Sequence, residues 1–215
     1  MVLNLKKFSK NEFQEFLEKN SSIVEEISNL KPNIDLSRIH LYNRLKFLFD
    51  FQENPLKNYR DSFLRFGGYR HSYPPHFYFP GKYFGNLDSL NLSFCHEIFH
   101  NAQYVGFPDL FIQTEILGET NNKRRKQTKE EKDKFHSIKK LVEGDAKLVE
   151  NICKKEYYPN PKRDIPKWVK YFNNSVVEKA SLEGENILLG NFGGKRKKIN
   201  GLYDLPINEI HRIFS

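Results

Sequence analysis

Apolar residues near the start of the chain recur at intervals of three and four, the spacing of one helix face. Ser9 and Glu12 precede them in the pattern of a capping box, and Lys31-Pro32 follows them. The sequence therefore predicts an amphipathic helix that ends before the proline. Its apolar stripe comprises Phe13, Phe16, Leu17, Ile23, Val24, Ile27 and Leu30.

A second stretch, from about Ser37 to Phe51, has similar apolar spacing and predicts another helix. The two helices define an N-terminal helical segment, residues 1–55. A segment of roughly 50 residues makes only a marginal core. We therefore expect it to pack on residues 56–215 rather than to fold alone.

Short aromatic runs replace the helical pattern between Ser62 and Phe84. Glycine and proline pairs separate runs such as Phe63–Phe66 and His76–Phe79, as expected for short strands of a small sheet. Helical spacing then returns, with a polar excursion expected at 118–133 and a proline-rich connection at 157–166. The predicted helices are Leu90–Val105, Glu130–Ile152, Trp168–Leu188 and Asn208–Phe214. The predicted fold class is α+β, with a small mixed sheet.

Charge is the main compositional feature of this 215-residue chain, which carries a formal net charge of +8. The basic excess is concentrated at residues 123–126 and 195–198, among polar residues and glycines. This pattern favours two solvated loops over a nucleic-acid-binding surface. No apolar run approaches the roughly 20 residues that span a bilayer, and no signal peptide is evident at the start.

Two cysteines, Cys95 and Cys153, are too few for a disulfide framework. We expect two separate thiols in a reducing compartment, and hence a cytoplasmic protein.

The residues His96-Glu97-Ile98-Phe99-His100 form an HExxH sequence. On a helix, residues four apart share a face, so both imidazoles can reach one tetrahedral Zn²⁺. Glu97 lies beside them, where a carboxylate can act as general base toward a zinc-bound water. A helical projection places this motif on the arc opposite the apolar residues, and it places Cys95 among the latter, as a core side chain.

A hydrolytic zinc site needs a third protein ligand. His136, Glu143 and Glu150 share one face of the predicted long helix, and spacing alone does not choose among them. Gly144 favours Glu143, because a helical glycine is costly unless another backbone comes close, here expected to be the zinc helix. Asp145 falls within the apolar arc, where a carboxylate is costly without a partner. Either it accepts a hydrogen bond from a zinc-bound histidine, or this part of the helix lies near its exposed end.

These motifs resemble those of the gluzincin metallopeptidases. His96–Gln103 is similar to the HExxHxxQ form of compact gluzincins and minigluzincins, and Glu143-Gly-Asp-Ala146 is similar to their ligand segment. Phe66–Tyr69 resembles their substrate-binding edge strand, and Gly201–His211 resembles a tail of larger relatives. Lys147 departs from the aspartate that thermolysin-like members carry there.

The resemblance implies a zincin-like fold with one Zn²⁺ per chain. It implies His96, His100 and Glu143 as ligands and Glu97 as the catalytic base and acid. The implied substrate is a peptide or protein, paired with a sheet edge. Candidates for the stabiliser of the transition state are His211, Tyr203 and Tyr157. The alternatives are a catalytically silent zincin-like binding or inhibitory module and a basic nucleic-acid-binding protein.

Overall fold

Helices dominate the computed structural model, which describes residues 2–42, 68–70, 76–119, 127–162 and 176–215. The described helices are α1 (Lys10–Ser28), α2 (Leu87–Gly106), α3 (Pro108–Glu119), α4 (Lys129–Glu156), α5 (Val176–Phe192), α6 (Arg196–Asn200) and α7 (Ile207–Phe214). Two 3₁₀ turns occupy Leu5–Lys7 and Leu36–Arg38. None of these helices is long and apolar enough to cross a membrane.

The first helix begins where the sequence predicts. The Ser9 hydroxyl accepts from the backbone N–H of Glu12, and the Glu12 side chain accepts from the N–H of Ser9. Asn29, in the left-handed conformation at φ 56°, ends α1 two residues before the predicted stop. The helix packs on α2, where the rings of Phe16 and Phe94 meet edge to face at 4.8 Å.

Five short strands within the described ranges form two sheets. In one, β1 (Val2–Asn4) pairs antiparallel with β5 (Lys82–Phe84). In the other, β4 (His76–Pro80) is central, with β2 (Ile39–Tyr42) parallel and β3 (Gly68–Arg70) antiparallel to it. The mixed sheet and the α+β class agree with the sequence analysis, and the predicted run at 63–66 lies outside the described residues.

The helix predicted from Ser37 to Phe51 is wrong over its first part. Asp35 caps a single 3₁₀ turn, and Ile39–Tyr42 then forms β2, with Ile39 opposite Phe77. Apolar spacing over so short a stretch fits a strand as well as a helix, and pairing with a strand almost 40 residues away decides between them. Residues 43–51 of that prediction, and the boundary at 55, lie outside the described residues.

The polar, non-helical segment predicted at 118–133 is shorter than predicted at both ends. Helix α3 runs to Glu119, and α4 already begins at Lys129. Thr128 and Glu131 form a second capping box, which gives α4 a start one residue before the predicted one. Pro108 opens α3 rather than only ending α2, as suits a proline in the first turn of a helix.

The long helix α4 contributes to two hydrophobic clusters. One lies among α1, α2 and the strands and includes Phe79, Phe94 and Val149; the other lies among α3, α5 and α7 and includes Leu141 and Phe214. Because α4 packs between the two clusters, the face of α4 that looks toward α2 is fixed by apolar contacts.

Gly144 permits a close approach, but the partner is α5 and not the zinc helix as expected. A Cβ on Gly144 would stand 2.4 Å from the carbonyl carbon of Gly184, and one on Gly184 would stand 1.8 Å from the carbonyl oxygen of Lys140. The two glycines thus allow the α4 and α5 backbones to touch.

Candidate metal centre

Helix α2 is held on its apolar side by burial. Phe94, Cys95, Ile98 and Phe99 are all fully buried, so the orientation of the helix about its axis is fixed. His96 and Glu97 are partly buried, and His100 is 6% exposed. The prediction that Cys95 is a core side chain is confirmed, and Cys95 and Cys153 are both buried free thiols.

The two motif histidines converge as their spacing predicts. Nε2 of His96 and Nε2 of His100 lie 3.1 Å apart. Helix α4 brings Glu143 opposite them, with Oε2 at 3.7 Å from Nε2 of His96 and 3.6 Å from Nε2 of His100. These three residues form the one group among the described residues whose ligand atoms could hold a metal ion.

The geometry and the donor types suit zinc. Ligand atoms at about 2.0–2.2 Å from a tetrahedral Zn²⁺ lie about 3.3–3.5 Å from one another, close to the three spacings that separate these atoms. Two imidazole nitrogens and one carboxylate oxygen also leave a fourth position open, as catalytic zinc sites do. The side chains therefore fit the ion that the sequence predicts.

The electrostatics of the group show how strongly it favours a positive charge. Burial raises the pKa of Glu143, but the facing His100 and His96 outweigh it and hold that pKa well below its ordinary value. Burial lowers the pKa of His96, but the nearby carboxylates of Glu143 and Glu150 outweigh it and raise the pKa to about 10. A metal ion and the His96 proton therefore compete for the same lone pairs.

The outer nitrogens of the histidines face different partners. Nδ1 of His100 lies 2.8 Å from Oε1 of Gln103, one turn further along α2. Nδ1 of His96 lies 3.4 Å from Oε2 of Glu150, too poorly aligned for a good hydrogen bond, and Oε1 of Glu150 pairs with Lys147 at 3.2 Å. Glu150 is therefore the carboxylate that lies beside the outer nitrogen of His96.

Of the three candidates for the third ligand, Glu143 is the one that belongs to the group that could hold a metal ion. Glu143 faces both Nε2 atoms, Glu150 faces the far side of His96, and His136 is exposed and outside the group. Glu97 is partly buried beside the histidines and lies outside the ligand group.

Asp145 does not contact either histidine, contrary to the expectation from sequence. Its fully buried carboxylate accepts two hydrogen bonds from Arg196 and one from the Tyr203 hydroxyl, the latter at 3.0 Å. The position of Asp145 among apolar residues correctly indicated that its carboxylate needs a partner, but that partner is the guanidinium of Arg196.

Arg196 belongs to the basic run that the sequence analysis assigned to a solvated loop. Residues 196–200 instead form α6, and the Arg196 side chain lies within the protein while Lys195, Lys197 and Lys198 are exposed. Residues 123–126 lie outside the described residues. Sequence reasoning did not identify Arg196; the signal that could have found it was the uncompensated charge of Asp145.

None of the three candidate stabilisers contacts the ligand group directly. Tyr203 is buried, and its hydroxyl is occupied by Asp145 and Gln103. His211 contacts Ser137, which precedes Glu143 by six residues, or about 9 Å along the helix. Tyr157 caps the C-terminus of α4, about 21 Å along the axis from Glu143.

No protein-family model matches the chain, and comparison with curated proteins and with solved structures finds no similar protein. Any assignment of function therefore depends on the geometry of this site and on the sequence motifs.

Proposed function

We propose that the chain is a zinc-dependent endopeptidase of the gluzincin type with a zincin-like fold. The observation that carries the proposal is the convergence of His96, His100 and Glu143 on one point, next to Glu97. An HExxH helix alone supplies only two ligands, and the third comes from a separate helix 43 residues further along the chain from His100.

His96, His100 and Glu143 would hold one Zn²⁺ per chain. When bound, zinc supplies Lewis-acid chemistry toward a water molecule and the scissile carbonyl. Glu97 acts as the general base that accepts the proton of the attacking water and returns it to the leaving amine. Its partly exposed position on the same helix, outside the ligand group, suits that exchange with substrate.

The substrate would be an extended peptide. Strand β3 is an edge strand of the mixed sheet as described, and it contacts α2, which carries the histidines. An edge strand offers unpaired backbone groups to a peptide, so affinity comes from the main chain and specificity from side-chain pockets.

The test is hydrolysis of an unstructured protein by the purified full-length chain. Activity should require zinc, disappear with chelator and return when zinc is restored. Glu97→Gln should retain zinc but lose roughly 10²–10⁴-fold in rate, because it removes the base and keeps the ligands. Glu15→Gln, an exposed change of the same kind on α1, is the matched control.

Two outcomes would overturn the proposal. A chain that binds zinc stoichiometrically but cleaves nothing would be the silent binding module instead. Equal activity of Glu97→Gln and the parent would remove Glu97 from the mechanism.

A further inference from the structure

We propose that Gln103 sets the tautomer of His100, and that Tyr203, Asp145 and Arg196 hold Gln103 in the orientation required. This inference rests on the proposed function, since it concerns a ligand of the proposed zinc site. It assigns a role in metal binding to a C-terminal segment of the chain that has no ligand of its own.

The hydrogen bonds form one continuous chain through the interior. The fully buried Gln103 contacts His100 through Oε1, at 2.8 Å from Nδ1. Its Nε2 contacts the carbonyl oxygen of Val142 at 3.0 Å and the Tyr203 hydroxyl at 2.5 Å. The Tyr203 hydroxyl contacts Asp145, which Arg196 holds through both guanidinium nitrogens Nη1 and Nη2.

The direction of each hydrogen bond follows from which groups can donate and which can only accept. The Val142 carbonyl oxygen can only accept, so the nitrogen side of the Gln103 amide must face it and donate. The oxygen side of Gln103 then faces His100 and can only accept, so Nδ1 of His100 carries a proton. A neutral imidazole with its proton on Nδ1 has an unprotonated Nε2, the atom that faces His96 and Glu143.

Tyr203 and Asp145, at the other end of these hydrogen bonds, fix which way round the Gln103 amide lies. Gln103 has two N–H groups, and Val142 and Tyr203 accept one each. Tyr203 can accept because its own hydrogen goes to the Asp145 carboxylate, which only accepts. Reversing the amide would oppose its oxygen to the Val142 oxygen in a buried site, which is the costly alternative.

Arg196 is needed because Asp145 is fully buried. A buried carboxylate without a counter-charge is strongly unfavourable, and the two-pronged guanidinium contact compensates it. Arg196 also donates to Asn200, whose side chain in turn donates to the Ser28 carbonyl oxygen at the end of α1. The C-terminal segment 196–203 is therefore anchored to α1, α4 and α2 at once.

Two variants interrupt this series of hydrogen bonds at different points. Tyr203→Phe removes one hydroxyl and leaves Gln103 with an unsatisfied N–H, and Gln103→Met removes the contact to His100 with little change in volume. Tyr158→Phe is the matched control, because it also removes a buried hydroxyl donor, here to Asn20, and Tyr158 is not part of this hydrogen-bond chain.

Zinc affinity at fixed pH, measured by competition with a chromophoric chelator, should fall about 10-fold in Tyr203→Phe and up to about 100-fold in Gln103→Met, the range for partners of metal-bound histidines. Tyr158→Phe should bind zinc as the parent does. Thermal unfolding of each metal-free variant gives its loss of stability separately. Parent-like zinc affinity in both Tyr203→Phe and Gln103→Met would overturn the inference.

A second measurement needs no variant. Long-range ¹H–¹⁵N NMR of histidine-labelled parent protein in chelator should show the proton of His100 on Nδ1, and a proton on Nε2 alone would overturn the inference. Zinc binding without hydrolysis would overturn the proposed function and leave this inference standing. A parent chain that binds no zinc would also overturn the proposed function, while the NMR spectrum would still test the tautomer.

Discussion

Oε2 of Glu143 lies almost equally far from Nε2 of His96, at 3.7 Å, and from Nε2 of His100, at 3.6 Å. A third ligand has to reach the same ion as the two imidazole nitrogens, so it must lie at a similar distance from both. Glu150, on the same helix face, contacts His96 only from the side of Nδ1.

The first prediction compares the three residues of that helix face. Glu143→Ala should weaken zinc binding by more than the roughly 10–100-fold typical of outer partners, because it removes a ligand. The loss of zinc affinity in Glu150→Ala should stay within that range, since Glu150 lies only beside the outer nitrogen of His96. The exposed His136→Ala should bind zinc as the parent does.

The measurement is zinc affinity at fixed pH, with circular dichroism as a control for folding. Tight zinc binding by Glu143→Ala, together with loss in Glu150→Ala or His136→Ala, would move the third ligand to that residue and reject the gluzincin assignment.

The second prediction concerns the contact between α4 and α5. Gly144→Ala places a Cβ 2.4 Å from the backbone of Gly184, and neither helix can yield without losing its packing. We expect a loss of at least about 1–3 kcal/mol in the free energy of unfolding, the usual cost of overpacking. Chemical denaturation measures this difference.

Gly190→Ala is the matched control on α5, because a Cβ there meets nothing within 4 Å. Since alanine is the better helix former, this variant should be as stable as the parent or up to about 1 kcal/mol more stable. Equal effects of the two substitutions would show that helix propensity, and not the contact, determines the result.

The third prediction is the pH dependence of the metal-free protein. The pKa of Glu143 is held below the ordinary 4.5, so its contribution to stability is present above that pH and is lost as the pH falls. The pKa of His96 is raised from 6.5 to about 10, so its contribution is complete below 6.5 and is lost as the pH rises through about 10. Together the two residues stabilise the folded protein most between about pH 4.5 and 6.5.

Urea unfolding in chelator across this pH range tests the prediction. Glu143→Gln should remove the loss of stability at acid pH. It should also move the loss at alkaline pH to lower values, because His96 then keeps Glu150 and the charge of Glu97 but loses Glu143. A profile identical to that of the parent would assign the pH dependence to other groups.

The fourth prediction concerns residues 1–55. The Asn20 side chain donates to Asn91 at 2.9 Å, and Phe16 packs on Phe94, so α1 relies on partners beyond this segment. A peptide of residues 1–55 should show no cooperative thermal transition by circular dichroism. A sharp transition in the isolated peptide would contradict the prediction.

Local chemistry determined several elements from sequence alone. The capping box at Ser9 and Glu12 supplies its own hydrogen bonds within one turn, so the start of α1 needs no tertiary information. The position of His96 four residues before His100 likewise fixes their convergence, because one helical turn sets that distance. Helix α7 begins at Ile207, directly after Pro206 and one residue before the predicted start.

Tertiary contacts decided the rest. Ile39–Tyr42 is a strand because β4 lies beside it, Gly144 admits α5 and not α2, and Asp145 finds its counter-charge in Arg196, 51 residues away. The helix face shared by His136, Glu143 and Glu150 likewise offered three candidates, and the packing of α4 against α2 brings Glu143 into the group that could hold a metal ion. Periodicity states which residues share a face, whereas the neighbour of that face is set by the burial of apolar surface across the whole chain.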